Sequence, residues 1–189
     1  PSMKHAVIPR KEIGIRTVFN ILGPLTNPAG AKRQLLGVFD ADLTDMMAGA
    51  LKILGSEGAV VAHGMDGIDE LSTIGTTKIS ELINGSVKTY TIEPEDFGFK
   101  RTSFDHLEQG SDPAESASIL EKILSGEIGP RRDIVILNAA AAFYAAGYAD
   151  SILSGIDAAK ESIDSGKALD RLNMLRKLSV KLGEEQHSS

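Results

Sequence analysis

The apolar positions of this chain change rhythm along its length. In Met3–Leu22, Ile15, Val18, Phe19 and Leu22 recur at three- and four-residue spacing, which predicts a helix with a single apolar stripe. Gly23-Pro24 is expected to stop that helix, and Asn27, preceding Pro28, is biased away from helical backbone. The apolar run Leu35–Phe39, closed by Asp40, predicts a buried strand. Ala41–Leu54 predicts a helix, with Asp42 near its start, Leu43, Met46, Met47 and Leu51 along one face, and Gly55 beyond its end. Gly58–Ala62 predicts the next strand, with His63-Gly64 at its exit. Strand, helix and strand joined by short links predict a parallel pair with a right-handed crossover.

The rhythm then shortens. Lys78–Leu82 and Ser86–Ile92 flank Asn84-Gly85, a strong short-range signal for a hairpin, so an antiparallel pair follows the parallel unit. Between the two lies the loop GMDGIDELSTIG, punctuated by Gly64, Gly67 and Gly75. Phe97–Gly110 has no clear period. Pro113–Leu124 predicts a helix ended by Gly126. Asp133–Ala146 reads either as a buried, alanine-rich helix or as a strand running into a helix, and Ala139–Ala142 points to close packing. Ser151–Ser162 and Ser165–Leu182 predict further helices before a polar tail.

Composition narrows the function classes. A chain of 189 residues, 42% of them hydrophobic, can build a substantial core. The formal net charge is -6, and the basic residues form only pairs such as Lys100-Arg101 and Arg131-Arg132, so no nucleic-acid partner is expected. Cysteine is absent, which excludes disulfides, thiol nucleophiles and zinc–thiolate sites. No apolar run approaches the roughly 18 residues that a membrane span needs, and a cytoplasmic location is expected. The opening Pro1-Ser2-Met3-Lys4 has no initiator methionine and reads as cut from something longer.

Candidate chemistry is sparse. Asp69-Glu70 would point to opposite faces of a strand, but in a glycine-flanked loop beyond a strand's C-terminal end the two carboxylates can converge. Ligands of open α/β sheets bind at that end, and two hard oxygen donors suit magnesium, which keeps waters and shares substrate phosphates. The alternative is a pair of solvated loop acids or a cap at a helix start. Arg10, beside an apolar segment, could fork onto a carboxylate or phosphate, or simply sit at the surface. Gly166-Lys167 is not a phosphate-binding loop. Glu161 stands where the first glycine is needed and Ala168 replaces the hydroxyl residue, so N-capping by Ser165 is the better reading. The four histidines have no metal-ligand spacing, and His63 is expected to be structural.

PSMKHAVIPR, GIRTVFNILGPLTNPA, LLGVFD, HGMDGIDELS, ILNAAAAFYAAG and IDSGKAL, in this order, closely resemble the later part of the anthranilate phosphoribosyltransferases. The resemblance spans the chain apart from its polar tail, and GPLTNP together with GIDELS is a specific pairing. It implies an α/β fold with a mixed, mainly parallel sheet flanked by helices, of the nucleoside phosphorylase/phosphoribosyltransferase type. Residues 1–189 would be a partial catalytic domain that lacks the family's helical domain, first strands and glycine-rich phosphate loop.

The implied activity is transfer of 5-phosphoribosyl from phosphoribosyl pyrophosphate to anthranilate, in tryptophan biosynthesis, with Mg2+ and as a homodimer when full length. The chain alone is expected to be inactive. By the resemblance, Arg10 would contact the anthranilate carboxylate, Pro24 and Met3 would line its channel, and Asp69 and Glu70 would hold magnesium. Residues 10–28 would pack with the helical domain, leaving Ile15, Val18, Phe19, Leu22 and Leu25 without a partner here. The competing readings are another phosphoribosyltransferase or pyrimidine nucleoside phosphorylase of the same fold, and a non-catalytic binding fragment.

Overall fold

The computed structural model describes residues 19–26 and 29–187. In chain order these form α1 (Phe19–Leu25), β1 (Arg33–Gly37), α2 (Leu43–Ile53), β2 (Gly58–Gly64), β3 (Thr77–Ile83), β4 (Ser86–Ile92), 3-10 turns at Pro94–Phe97 and Phe104–His106, α3 (Pro113–Leu124), α4 (Pro130–Ala146), α5 (Ile152–Asp164) and α6 (Lys167–His187). The strands form one sheet in the order β1-β2-β3-β4.

The centre of the fold follows from one strand. All seven residues of β2 are buried. Its side chains alternate between the two faces of the sheet, as strand geometry requires. Val60 and Ala62 join a cluster with Ile136, Leu137, Ala140 and Ala141 of α4, while Ala59 and Val61 join a second cluster with Met47, Ala48 and Leu51 of α2. The same alternation carries into β3, where Ile79 belongs to the first cluster and Leu82 to the second. The sheet is therefore the middle of three layers, with α2 on one face and α4 and α5 on the other. Each fully buried aliphatic side chain contributes roughly 1.5–3 kcal/mol.

The sheet is mixed and flanked by helices, as expected. β1 pairs with β2 in parallel, and β2–β3 and β3–β4 are antiparallel, so within these four strands parallel character is confined to the β1–β2 pair. The hairpin turns at Asn84-Gly85, where φ is +51° and +73°, the left-handed values that such a two-residue turn demands. The Asp133–Ala146 alternative resolves to one continuous helix, α4, with Pro130 in its first turn and left-handed Gly147 after its end. Close packing does occur there. A Cβ built on Gly155 of α5 would lie 2.6 Å from the Ala140 carbonyl oxygen, so only glycine lets these two helices approach so far. α3 has the expected bounds, because Asp112 accepts from the Glu115 N–H at 2.8 Å and Pro113 opens the helix.

Three local expectations are corrected. Gly23-Pro24 does not stop α1, which runs on to Leu25 with Pro24 inside it. Proline removes one N–H donor, and so close to the helix end only one bond is lost before Thr26 closes the turn onto the Leu22 carbonyl at 3.1 Å. Ser165 does not cap the last helix. Its N–H donates to the Glu161 carbonyl, so it closes α5, and the Gly166 carbonyl accepts the first bond of α6, from Asp170. Leu25 is not left without a partner, since it packs against the α2-side cluster. The remaining apolar positions of the 10–28 segment, apart from half-buried Leu22, lie outside the described side chains.

Candidate functional site

Residues 65–76 leave the C-terminal end of β2 and return to β3 without regular structure, yet the segment is anchored from several sides. The Gly64 N–H donates to the Ile68 carbonyl at 2.7 Å, and the Met65 N–H to the Thr76 carbonyl at 2.8 Å. Asp66 organises the turn, with one carboxylate oxygen accepting from the Ile68 N–H (3.1 Å) and the other from the Ser72 hydroxyl (2.5 Å). The Ser72 oxygen in turn accepts from the Ile74 N–H at 2.9 Å. Leu71, Ser72 and Thr73 are buried, so this is a loop with a core of its own.

Two contacts fix the stretch that carries the acids. A Cβ built on Gly37, the last residue of β1, would fall 1.5 Å from the Asp69 carbonyl oxygen. The loop therefore crosses directly over the end of β1, which stops at Gly37 rather than at the expected Phe39, with one further bond to β2 from the Val38 N–H to the Ala62 carbonyl at 2.9 Å. Beyond Asp69-Glu70, Asn138 of α4 bonds to both sides of Leu71. The Leu71 N–H donates to Asn138 Oδ1 at 3.0 Å, and Asn138 Nδ2 donates to the Leu71 carbonyl at 2.8 Å.

Asp69 and Glu70 are left exposed on this rigid base. The Glu70 residue is exposed, but its carboxyl is partly desolvated. That desolvation first, and the neighbouring Asp69 charge second, push its pKa above the usual carboxylate value. Glu70 also borders a cleft of about 410 Å3, lined chiefly by Ile68, Phe104, Leu107, Arg131, Ile134 and Val135. A smaller cavity of about 170 Å3 beside His106 and Arg132 touches neither acid.

The pair does not start a helix, which removes the capping alternative. No group of three or more His, Asp or Glu side chains able to hold a metal occurs among the described residues. Two hard carboxylates, mutually repelling and open to solvent, fit an ion such as magnesium, which takes few protein ligands and completes its shell with water and phosphate oxygens.

The other expected site residues are placed unevenly. Pro24 is half-buried in the last turn of α1, whereas Arg10 and Met3 lie outside the described residues. His63 is structural, as expected. It is buried, and its Nδ1 lies 2.8 Å from the Val38 carbonyl oxygen. Asn138, Gly37, Asp66 and Ser72 escaped the sequence reading. The signals were a glycine inside an apolar strand run, which marks a close backbone approach, and a lone asparagine inside an apolar helix.

A three-layer α/β domain with a mixed sheet carries an acidic loop across the C-terminal ends of its parallel pair, the end at which open α/β sheets bind their ligands. The chain belongs to the glycosyl transferase family, a/b domain, whose family model matches residues 1–169. Among its relatives, the anthranilate phosphoribosyltransferase of Acetivibrio thermocellus is 55% identical over 91% of this chain and 50% of its own length. That of Nitrosomonas eutropha is 50% identical over 96% of this chain and 53% of its own.

Solved structures agree. Anthranilate phosphoribosyltransferase from Thermus thermophilus superposes with a TM-score of 0.82 at 43% identity, over 92% of this chain and 51% of that one. The Saccharomyces cerevisiae enzyme in complex with PRPP and Mg superposes at 0.79 and 34% identity, over 90% of this chain and 49% of that one. The chain thus spans about half the length of the relatives it matches.

Proposed function

We propose that this chain forms the metal-bearing and acceptor-bearing part of an anthranilate phosphoribosyltransferase. The enzyme would transfer 5-phosphoribosyl from phosphoribosyl pyrophosphate to anthranilate, in the cytoplasm and as a homodimer when full length. The observation that carries the reading is the Asp69-Glu70 pair, on a loop hydrogen-bonded to α4 at the C-terminal end of β2, in a chain about half identical to relatives of that name.

In the reaction the anthranilate nitrogen bonds to C1 of the ribose. The bond from C1 to the pyrophosphate oxygen breaks with its electron pair leaving on pyrophosphate, and the new secondary amine gives up one proton to solvent. Asp69 and Glu70 would hold Mg2+, which when bound neutralises charge on the departing pyrophosphate. Arg10 would orient the nucleophile by forking onto the anthranilate carboxylate, and Pro24 and Met3 would line its approach. An aromatic amine is unprotonated near neutral pH, so no strong general base is needed before attack.

The test is a chimera in which this chain replaces the matching half of the Acetivibrio thermocellus enzyme. It should consume anthranilate, read by loss of anthranilate fluorescence, only with phosphoribosyl pyrophosphate and Mg2+ present, whereas the chain alone should not. Arg10→Ala in the chimera should raise the anthranilate KM tenfold or more, by loss of a charge-assisted contact of about 1.5–3 kcal/mol, and leave the other substrate's KM nearly unchanged. A folded chimera that ignores anthranilate, or that cleaves thymidine with phosphate instead, would overturn the assignment.

A further inference from the structure

The carboxylate pair sits on backbone that is held from outside its own loop, and the two holds differ in kind. On one side, the bare Cα of Gly37 admits the Asp69 carbonyl to the end of β1. On the other, Asn138 occupies both hydrogen-bonding groups of Leu71 at 3.0 and 2.8 Å. Asn138 has a further donor bond, to the Ile134 carbonyl of its own helix at 3.0 Å, which fixes the amide plane. No residue of α4 is exposed, and Ile136, Leu137, Ala140 and Ala141 lie in the core, so the Asn138 Cα is anchored on both sides along the helix. A two-point bond from one side chain ties the two peptide units that flank the Leu71 Cα, the first of which joins Leu71 to Glu70. Rotation of that first unit would change where the adjacent Glu70 side chain stands relative to Asp69, whose charge it feels.

We infer that Asn138 is a positioning residue for the metal site, holding Glu70 in register with Asp69 through the Leu71 backbone while Gly37 holds Asp69 from the other side. An asparagine suits the task because its short side-chain amide offers a donor and an acceptor at the spacing of a peptide's own N–H and C=O. This rests on the reading that Asp69 and Glu70 hold a divalent cation. The side chain itself need not touch the ion, since its influence passes through one peptide unit.

The test uses Mn2+ alone as a paramagnetic probe of the intact chain, read by NMR line broadening of backbone amides. A second, metal-free measurement is 15N relaxation and amide hydrogen exchange at residues 69–71. In the parent chain, broadening should centre on residues 69–71 and those residues should be as rigid as β2. Asn138→Ala should make residues 69–71 mobile on the nanosecond scale and move the Mn2+ midpoint at least tenfold higher. Amides of β2, β3 and α2 should stay unchanged, which a merely structural loss would not leave intact. If Asn138→Ala does not fold, Asn138→Leu keeps the volume and the helix, and the same comparison applies.

Residues 69–71 that stay rigid in a folded variant overturn the inference. So does mobility without any change in the Mn2+ midpoint. A parent chain that shows no broadening at residues 69–71 overturns the metal reading and with it the metal role of Asn138; rigidity lost in the variant would then leave the two-point hold as a purely structural one.

Discussion

Among the described residues, the two longest stretches between strands and α-helices are built by different means. Residues 65–76, between β2 and β3, have a buried floor of Leu71, Ser72 and Thr73 and are tied to β1 and α4 by Gly37 and Asn138. Residues 93–112, between β4 and α3, pack Phe97 and Phe99 onto the core but carry their ion pairs at the surface. There Arg101 reaches Glu93 at 2.7 Å and Glu95 at 2.9 Å, with all three side chains between about 38% and 54% exposed. Phe99 is buried, but Phe104 is half-exposed, and the stretch meets the first loop through the Thr102 N–H on the Thr73 carbonyl at 2.9 Å. Irregular backbone becomes rigid when buried neighbours satisfy its polar groups, and stays soft when solvent competes for its partners. The carboxylates sit on the stretch tied down by buried bonds, and the proposed metal site would need such anchoring, because a misplacement of about one ångström costs rate.

The comparison breaks most visibly at Gly37. Gly37→Val places carbon atoms where the Asp69 carbonyl now lies, so either the loop or β1 must move. A loss of about 3 kcal/mol is expected, the upper end for overpacking, measured by urea denaturation. A loss below about 1 kcal/mol, the lower end for overpacking, would mean that the first loop yields as easily as the second.

A matched pair of substitutions gives the next effect. Ser72→Ala removes the hydroxyl that Asp66 and the Ile74 N–H share, and leaves a carboxylate short of a partner. About 1.5–3 kcal/mol should be lost, as for other hydrogen bonds to charged groups. Arg101→Ala removes two ion pairs from the second stretch, yet it should barely move the urea midpoint, and the small change should shrink further in salt. Equal losses from the two variants would remove the distinction between the regions.

The smallest effect concerns charge within the rigid loop. The folded state raises the Glu70 pKa above its ordinary 4.5, chiefly by desolvation. Below the unfolded value the acid is neutral in both states and folding incurs no penalty. As pH rises through the folded value, the unfolded chain ionises more readily and stability falls. In metal-free buffer, Glu70→Gln should therefore be slightly more stable than the parent near neutral pH, and the difference should vanish below about pH 4. A difference independent of pH would mean that Glu70 is solvated like an ordinary surface acid. That outcome would place it with the groups of the second stretch.

Local pattern was enough for much of this protein. The buried run of β2, the Asn84-Gly85 hairpin and the Asp112-Pro113 start of α3 are decided by neighbours in sequence, because turn chemistry, capping and alternation act over a few residues. The acidic pair was legible for the same reason, as two carboxylates in a glycine-flanked loop just beyond a strand. What holds that pair was not legible. Gly37 meets Asp69 and Asn138 meets Leu71 from distant parts of the chain, the second pair 67 positions apart, and no local rule relates residues so far separated. At Gly23-Pro24 and Ser165, where local signals were strong, the bonds of the adjoining turns decided the outcome: the Thr26 N–H closes onto the Leu22 carbonyl and the Ser165 N–H onto the Glu161 carbonyl. The elements and the carboxylates on the loop were thus written into short runs of residues. The anchoring of that loop came from folding alone, because it rests on bonds and close contacts between segments that meet only in the folded chain.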